Sequence, residues 1–79
     1  MITVYSADWC AFCHAAKGYF DKLGVKYTDK NVEEDPKNMQ EAIAKSGQMG
    51  IPVIDIDGEI IIGFDRARID HALKAKQLV

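Results

Sequence analysis

The chain has little of what would mark a protein for export, for a membrane or for nucleic acid. Its two cysteines are too few for a disulfide framework, and a bridge between near neighbours restrains the unfolded chain little. No apolar stretch approaches the ~20 residues of a membrane span. The formal net charge is −2, and no basic run argues for nucleic-acid binding. No internal repeat, low-complexity segment or linker divides the sequence. Met1 leads within one residue into a strand-like run, so no secretory leader is expected, and a reducing cytoplasm is the expected compartment. With 79 residues, 48% hydrophobic and 28% charged, this is one small globular domain spanning 1–79, expected to be a monomer.

What is present alternates between strand and helix signals. Ile2 to Ser6 is a β-branched and aromatic run. From about Phe12 to Leu23 apolar residues recur at helical spacing (Phe12, Ala16, Tyr19, Phe20, Leu23), and Gly24 suits a left-handed cap. Lys26 to Val32 alternates loosely and predicts a second strand with one wet face. Asp35-Pro36 is a helix start, an N-cap oxygen followed by a residue whose missing N–H does no harm. Met39, Ala42, Ile43 and Ser46 then share a face, and Gly47 ends the run. Val53 to Ile56, Asp57-Gly58 and Glu59 to Ile62 predict a hairpin with a two-residue type I′ turn. Asp65 can cap a last helix with Ile69, Ala72 and Leu73 inside. The order β-α-β-α-β-β-α predicts an α/β domain: a four-stranded mixed sheet with helices on both faces, its first strand pair parallel.

The chemistry gathers at Trp9-Cys10-Ala11-Phe12-Cys13, where the first strand gives way to the first helix. A thiol there sits beside unpaired backbone N–H groups and the positive end of the helix dipole, and both favour thiolate. A free thiol of pKa near 8.5 is only about 3% ionised at pH 7; lowering it to roughly 7 ionises about half, worth ~2 kcal/mol. Cys10, nearer the exposed helix start, is the expected nucleophile. Cys13, one turn in and more buried, is expected to resolve the mixed disulfide. Lys17 can add positive charge, though solvated surface is the plainer reading. His14 either tunes the pair or is an exposed helix residue. Asp8 either accepts a proton or shapes the strand-end turn, the second being favoured. Trp9 and Phe12 flank the sulfurs as an apolar rim, with packing against the last helix as the alternative for Trp9. Gly50-Ile51-Pro52 places a proline at a strand start, where no ladder donor is needed.

Cys10-x-x-Cys13 after the first strand, Pro52 before the third and Gly63-x-Asp65 after the fourth together resemble the glutaredoxin branch of the thioredoxin superfamily, over the whole chain. The resemblance implies a thioredoxin fold and a disulfide reductase in which Cys10 attacks and Cys13 resolves. It also implies a cis Ile51-Pro52 peptide facing Cys10, whose Ile51 backbone pairs an extended substrate. Trp9, Phe12, Ile51, Pro52, Gly63, Phe64 and Asp65 are then the substrate-binding candidates. No bound cofactor or metal is expected.

Departures from the family pattern bear on the reductant. Glutathione-using members usually carry Pro-Tyr between the cysteines, Thr-Val-Pro before the third strand, and Gly-Gly, a small polar residue and two acids after the fourth. Here stand Ala11-Phe12, Gly50-Ile51-Pro52 and Ile62-Gly63-Phe64-Asp65-Arg66. Gly-Phe at this point is similar to redoxins that draw electrons from thioredoxin reductase, so a thioredoxin-reductase-like flavoprotein is the favoured donor. Glutathione is the alternative co-substrate, since a helix start at Asp65 still offers N–H groups to a carboxylate. Iron–sulfur cluster carriage between two subunits is the non-enzymatic alternative. Cys10-x-x-Cys13-His14 also matches c-type haem attachment, but that chemistry goes with export and a helical wrap. A zinc site needs two further ligands, and His71, the only other histidine, is expected on the wet face of the last helix.

Overall fold

The computed structural model describes residues 1–77. Strand β1 (Ile2–Ser6) leads to helix α1 (Ala11–Leu23), β2 (Thr28–Asn31), α2 (Pro36–Ser46), β3 (Val53–Ile56), β4 (Glu59–Ile62) and α3 (Arg66–Ala75). The sheet order is β2-β1-β3-β4. Strands β1 and β2 run parallel, from Thr3 opposite Thr28 to Ser6 opposite Asn31. Strand β3 is antiparallel to both β1 and β4. This is the predicted mixed sheet.

Local chemistry sets most of the boundaries. Gly24 and Gly47 close α1 and α2 with φ of 72° and 73°, the left-handed region where a missing Cβ removes the steric cost. Asp35 caps α2 by accepting from the Lys37 N–H, with Pro36 in the first turn. Asp57 and Gly58 both take positive φ, 50° and 96°, as a type I′ turn requires. The second strand is shorter than its sequence suggests: Lys26 and Tyr27 lie outside it, and pairing to β1 begins at Thr28. Beyond Asn31 the Val32 N–H still donates to the Ser6 carbonyl at 2.8 Å.

Alternation along the strands splits the core between two faces. Ile2, Val4, Ile54, Ile56 and Ile61 meet Ala16 and Phe20 of α1 and Ile69, Ala72 and Leu73 of α3. Across the sheet, Tyr5, Val32 and Val53 pack with Ala42 of α2. That second cluster also contains Cys10 and Cys13 and is flanked by Ile51. The cysteine pair thus rests on the edge of the α2-side core, at the end of the sheet where β1 stops and β3 begins.

Candidate active site

The backbone delivers Cys10 as the N-cap of α1. After β1 the chain turns through Ala7–Cys10, and the Cys10 N–H donates to the Ala7 carbonyl at 3.1 Å. Cys10 is extended (φ −87°, ψ 108°), while its carbonyl already accepts from the His14 N–H at 3.2 Å. Its sulfur occupies the place an aspartate or serine oxygen holds in an ordinary cap: the Cys13 N–H donates to Cys10 Sγ at 3.1 Å. The two sulfurs are joined as a disulfide, with Cα atoms 5.2 Å apart, inside the usual range for such a bridge. A hydrogen bond of this kind, from a backbone N–H to a sulfur at a helix start, favours the charged over the neutral form of a thiol. No acidic residue stands in the first turn of α1 to oppose that charge.

Accessibility differs from the sequence expectation in one respect. Cys13 is fully buried, but Cys10 is only 5% exposed, far less open than a residue at a helix start suggests. Packing against the α2-side cluster covers it. The exposure falls instead on its neighbours: Trp9 is 70% and Phe12 67% exposed. Trp9 therefore stands out at the rim and is not packed against α3.

The Ile51–Pro52 peptide is cis, and Pro52 is buried while Ile51 is half-buried against the cluster that holds the cysteines. Among the described residues the Ile51 amide and carbonyl take no hydrogen-bond partner. Ahead of it, the Gln48 side chain grips Gly50 at both ends, accepting from its N–H at 2.7 Å and donating to its carbonyl at 2.9 Å. Nothing in the sequence pointed to that clip. Gly63 (φ 80°) donates its N–H to the Pro52 carbonyl at 2.9 Å, tying the end of β4 to the proline. Ile62 is half exposed. Phe64 turns its ring edge onto Tyr19, with centroids 5.9 Å apart, and joins the α1–α3 core. Asp65 caps α3, accepting from the Arg68 N–H at 3.1 Å.

Charge around α1 is arranged by contacts between elements remote in sequence. Lys17 is not a solvated surface residue: its side chain is 15% exposed, and Nζ donates to Asp29 Oδ2 at 2.9 Å and Ser6 Oγ at 3.3 Å. Ser6 in turn donates to Asp29 Oδ1 at 2.6 Å. Burial pushes the Asp29 carboxyl up, but the hydrogen bonds from Ser6 and Lys17 outweigh it and hold the pKa below the ordinary value. His14 is exposed, and its Nε2 lies 2.6 Å from the Asp8 carbonyl. Asp8 Oδ1 accepts from Asn31 Nδ2 at 3.2 Å, which ties the strand-end turn to the end of β2. Farther along, Tyr19 donates to Asp70, and that bond, then burial, raises the phenol's pKa. The Arg66 guanidinium lies 4.8 Å above the same ring. His71 is exposed on α3. Among the described residues no three His, Cys, Asp or Glu side chains form a metal-binding group, and no helix is long and apolar enough to cross a membrane.

A bridged cysteine pair capping the first helix, packed beside a cis-proline loop at the end of a β2-β1-β3-β4 sheet, defines the class: a thiol–disulfide oxidoreductase of thioredoxin fold. The glutaredoxin profile matches residues 2–61, and the chain belongs to the glutaredoxin family. It is 40% identical over 74 residues to an uncharacterized glutaredoxin-like 8.6 kDa protein in the rubredoxin operon of Clostridium pasteurianum, covering 94% of this chain and 99% of that one. It is 30% identical over 64 residues to glutaredoxin 3 of Escherichia coli, covering 81% and 77%. Among solved structures, the thioredoxin-like protein BC3987 superposes with a TM-score of 0.86 at 25% identity, covering 92% of this chain and 100% of that one. The glutaredoxin-like NrdH-redoxin of Escherichia coli, described as having a thioredoxin-like activity profile, superposes at 0.78 with 28% identity, covering 89% and 91%.

Proposed function

We propose that the chain reduces disulfides in protein substrates through a Cys10 thiolate. The observation that carries this reading is the Cys13 N–H held 3.1 Å from Cys10 Sγ at the start of α1, a donor already aimed at the charge a nucleophile must bear. Cys10 attacks one sulfur of the substrate disulfide; the other leaves as a thiolate and takes a proton from solvent. Cys13 then loses its proton and attacks Cys10 Sγ, the mixed disulfide breaks, and the second substrate thiol departs. Two electrons have passed to the substrate, leaving the Cys10–Cys13 disulfide for an external reductant to reopen. Exposed Trp9 and Phe12, with the unpartnered Ile51 backbone beside buried Pro52, supply an apolar rim and an edge for an extended segment.

For the reductant, a thioredoxin-reductase-like flavoprotein is preferred to glutathione. Ile62, Phe64 and Arg66 stand where glutathione-using relatives carry the first Gly, a small polar residue and the second acid, and here Phe64 packs on Tyr19 with Arg66 over the same ring. The thioredoxin-like activity profile of NrdH-redoxin supports the same choice. Two arms test the proposal. Cys10→Ser should abolish turnover, whereas Cys13→Ser should accumulate mixed disulfide; equal activity in the two would overturn the assignment. NADPH oxidation with a protein disulfide should be fast with thioredoxin reductase and slow with glutathione plus its reductase. The reverse order would make glutathione the donor.

A further inference from the structure

We propose that His14 is a positioning residue for the dithiol: it holds the Asp8 carbonyl and so fixes the turn that carries Trp9 and Cys10. The proposal rests on the reading of Cys10 as the nucleophile. His14 grips that turn at two points. Its backbone N–H bonds the Cys10 carbonyl at 3.2 Å, as in any first helical turn, and its ring Nε2 stands 2.6 Å from the Asp8 carbonyl oxygen. A carbonyl only accepts, so Nε2 is the ring nitrogen that carries a proton in this contact. The turn is tied from the far side as well. Asn31 Nδ2 at the end of β2 donates to Asp8 Oδ1 at 3.2 Å, and the Asn31 carbonyl accepts from Asn38 Nδ2 of α2 at 2.9 Å. Asp8 is thus held by α1 on one side and by β2 and α2 on the other.

That hold matters because Ala7 and Cys10, the two ends of the turn, are buried in the α2-side cluster, whereas its middle is held by side-chain bonds. Asp8 and Trp9 are exposed, and the Cys10 N–H to Ala7 carbonyl bond is the turn's one backbone closure. Cys10 takes an extended N-cap conformation whose sulfur must stay within reach of the Cys13 N–H. Losing the His14 bond removes one of the two ties on Asp8 and loosens the cap geometry that keeps Cys10 Sγ on that donor. A net hydrogen bond of this kind holds its partner by about 1 kcal/mol, a factor of about five in the population of the held turn.

The test uses the full chain with His14→Leu, which removes the donor, and His14→Gln, whose side-chain amide can reach the same carbonyl. Thermal melts confirm that both fold. Reduction of a protein disulfide and alkylation of Cys10 by iodoacetamide should slow by up to about fivefold in His14→Leu, and His14→Gln should restore most of the loss. Nitrogen-15 spectra of the reduced wild type should show the neutral His14 ring protonated on Nε2. A folded His14→Leu protein with both rates at the wild-type level, failure of His14→Gln to rescue, or an Nδ1–H ring would each overturn the proposal. If the wild type itself reduced no disulfide, the proposed function would fail instead, while the ring spectrum would still report on the clamp.

Discussion

Placing an acid at the first residue of α1 should make the protein more stable and less reactive at once. Ala11 is exposed and follows Cys10 directly, and the first turn contains no acidic side chain, so Ala11→Asp adds one charge without disturbing packing. A carboxylate roughly 6 Å from the Cys10 sulfur repels a thiolate by about 0.7 kcal/mol at water's dielectric and about 1.4 kcal/mol at half that value. Well below the Cys10 pKa this is about a threefold to tenfold loss of thiolate. The same charge sits at the positive end of the helix dipole and should stabilise the fold by about 0.3–1 kcal/mol. Ala11→Lys should do the opposite on both counts. The assay is the alkylation rate of reduced protein at low salt, paired with thermal melts, and repeated near 1 M salt, where a Debye length of about 3 Å should erase most of the rate difference. If both variants melt as predicted yet alkylate at the wild-type rate, helix-start control of the sulfur is refuted.

Other consequences are simpler. Phe20 is fully buried among Ile, Leu and Tyr side chains, 5.8 Å from the Tyr27 ring; Phe20→Ala should cost about 3–5 kcal/mol in denaturant melts, a large share of the roughly 4–12 kcal/mol a chain this long possesses, and a loss under about 1 kcal/mol would contradict the packing. Burial pushes the Asp55 carboxyl up, but Lys45 at 2.5 Å and the Gly58 N–H outweigh it and depress its pKa. Its stabilisation is therefore present above the unfolded pKa, near 3.8, and is lost as pH falls through the lower folded value; Asp55→Asn should destabilise at neutral pH and flatten the acid limb of stability against pH. Gly58 turns the hairpin at a φ of 96°, so Gly58→Ala should lower stability by about 1 kcal/mol or more, whereas an unchanged melting temperature would refute the turn assignment.

The fold was legible where its signals are local. Asp35-Pro36, the glycines at 24 and 47 and Asp57-Gly58 each announce a cap or turn within a few residues, and each sits where those signals place it. The apolar spacing of Ile69, Ala72 and Leu73 named the buried face of α3. Strand β2 was overdrawn because Lys26 and Tyr27 alternate correctly, but its ends are fixed by pairing with β1, which no local pattern encodes. At the site, the two cysteines declared themselves by spacing and Pro52 as a strand start, while its cis peptide was implied by the family resemblance alone. Their support did not: Lys17 bonding Asp29, His14 reaching Asp8, Gln48 closing on Gly50 and Tyr19 donating to Asp70 depend on where side chains arrive after folding. The same holds for the burial of Cys10, set by packing on a core formed from other elements.

Disulfide reduction by this chain requires that the helix start keep the Cys10 sulfur ionised near neutral pH. Titrating the reduced protein by the ultraviolet absorbance of its thiolate, alongside Cys10→Ser and Cys13→Ser, reads this directly. The prediction is one transition at least about a unit below the ~8.5 of a free thiol, kept in Cys13→Ser and lost in Cys10→Ser. A wild type in which neither thiol ionises until pH 8.5 or above would contradict it.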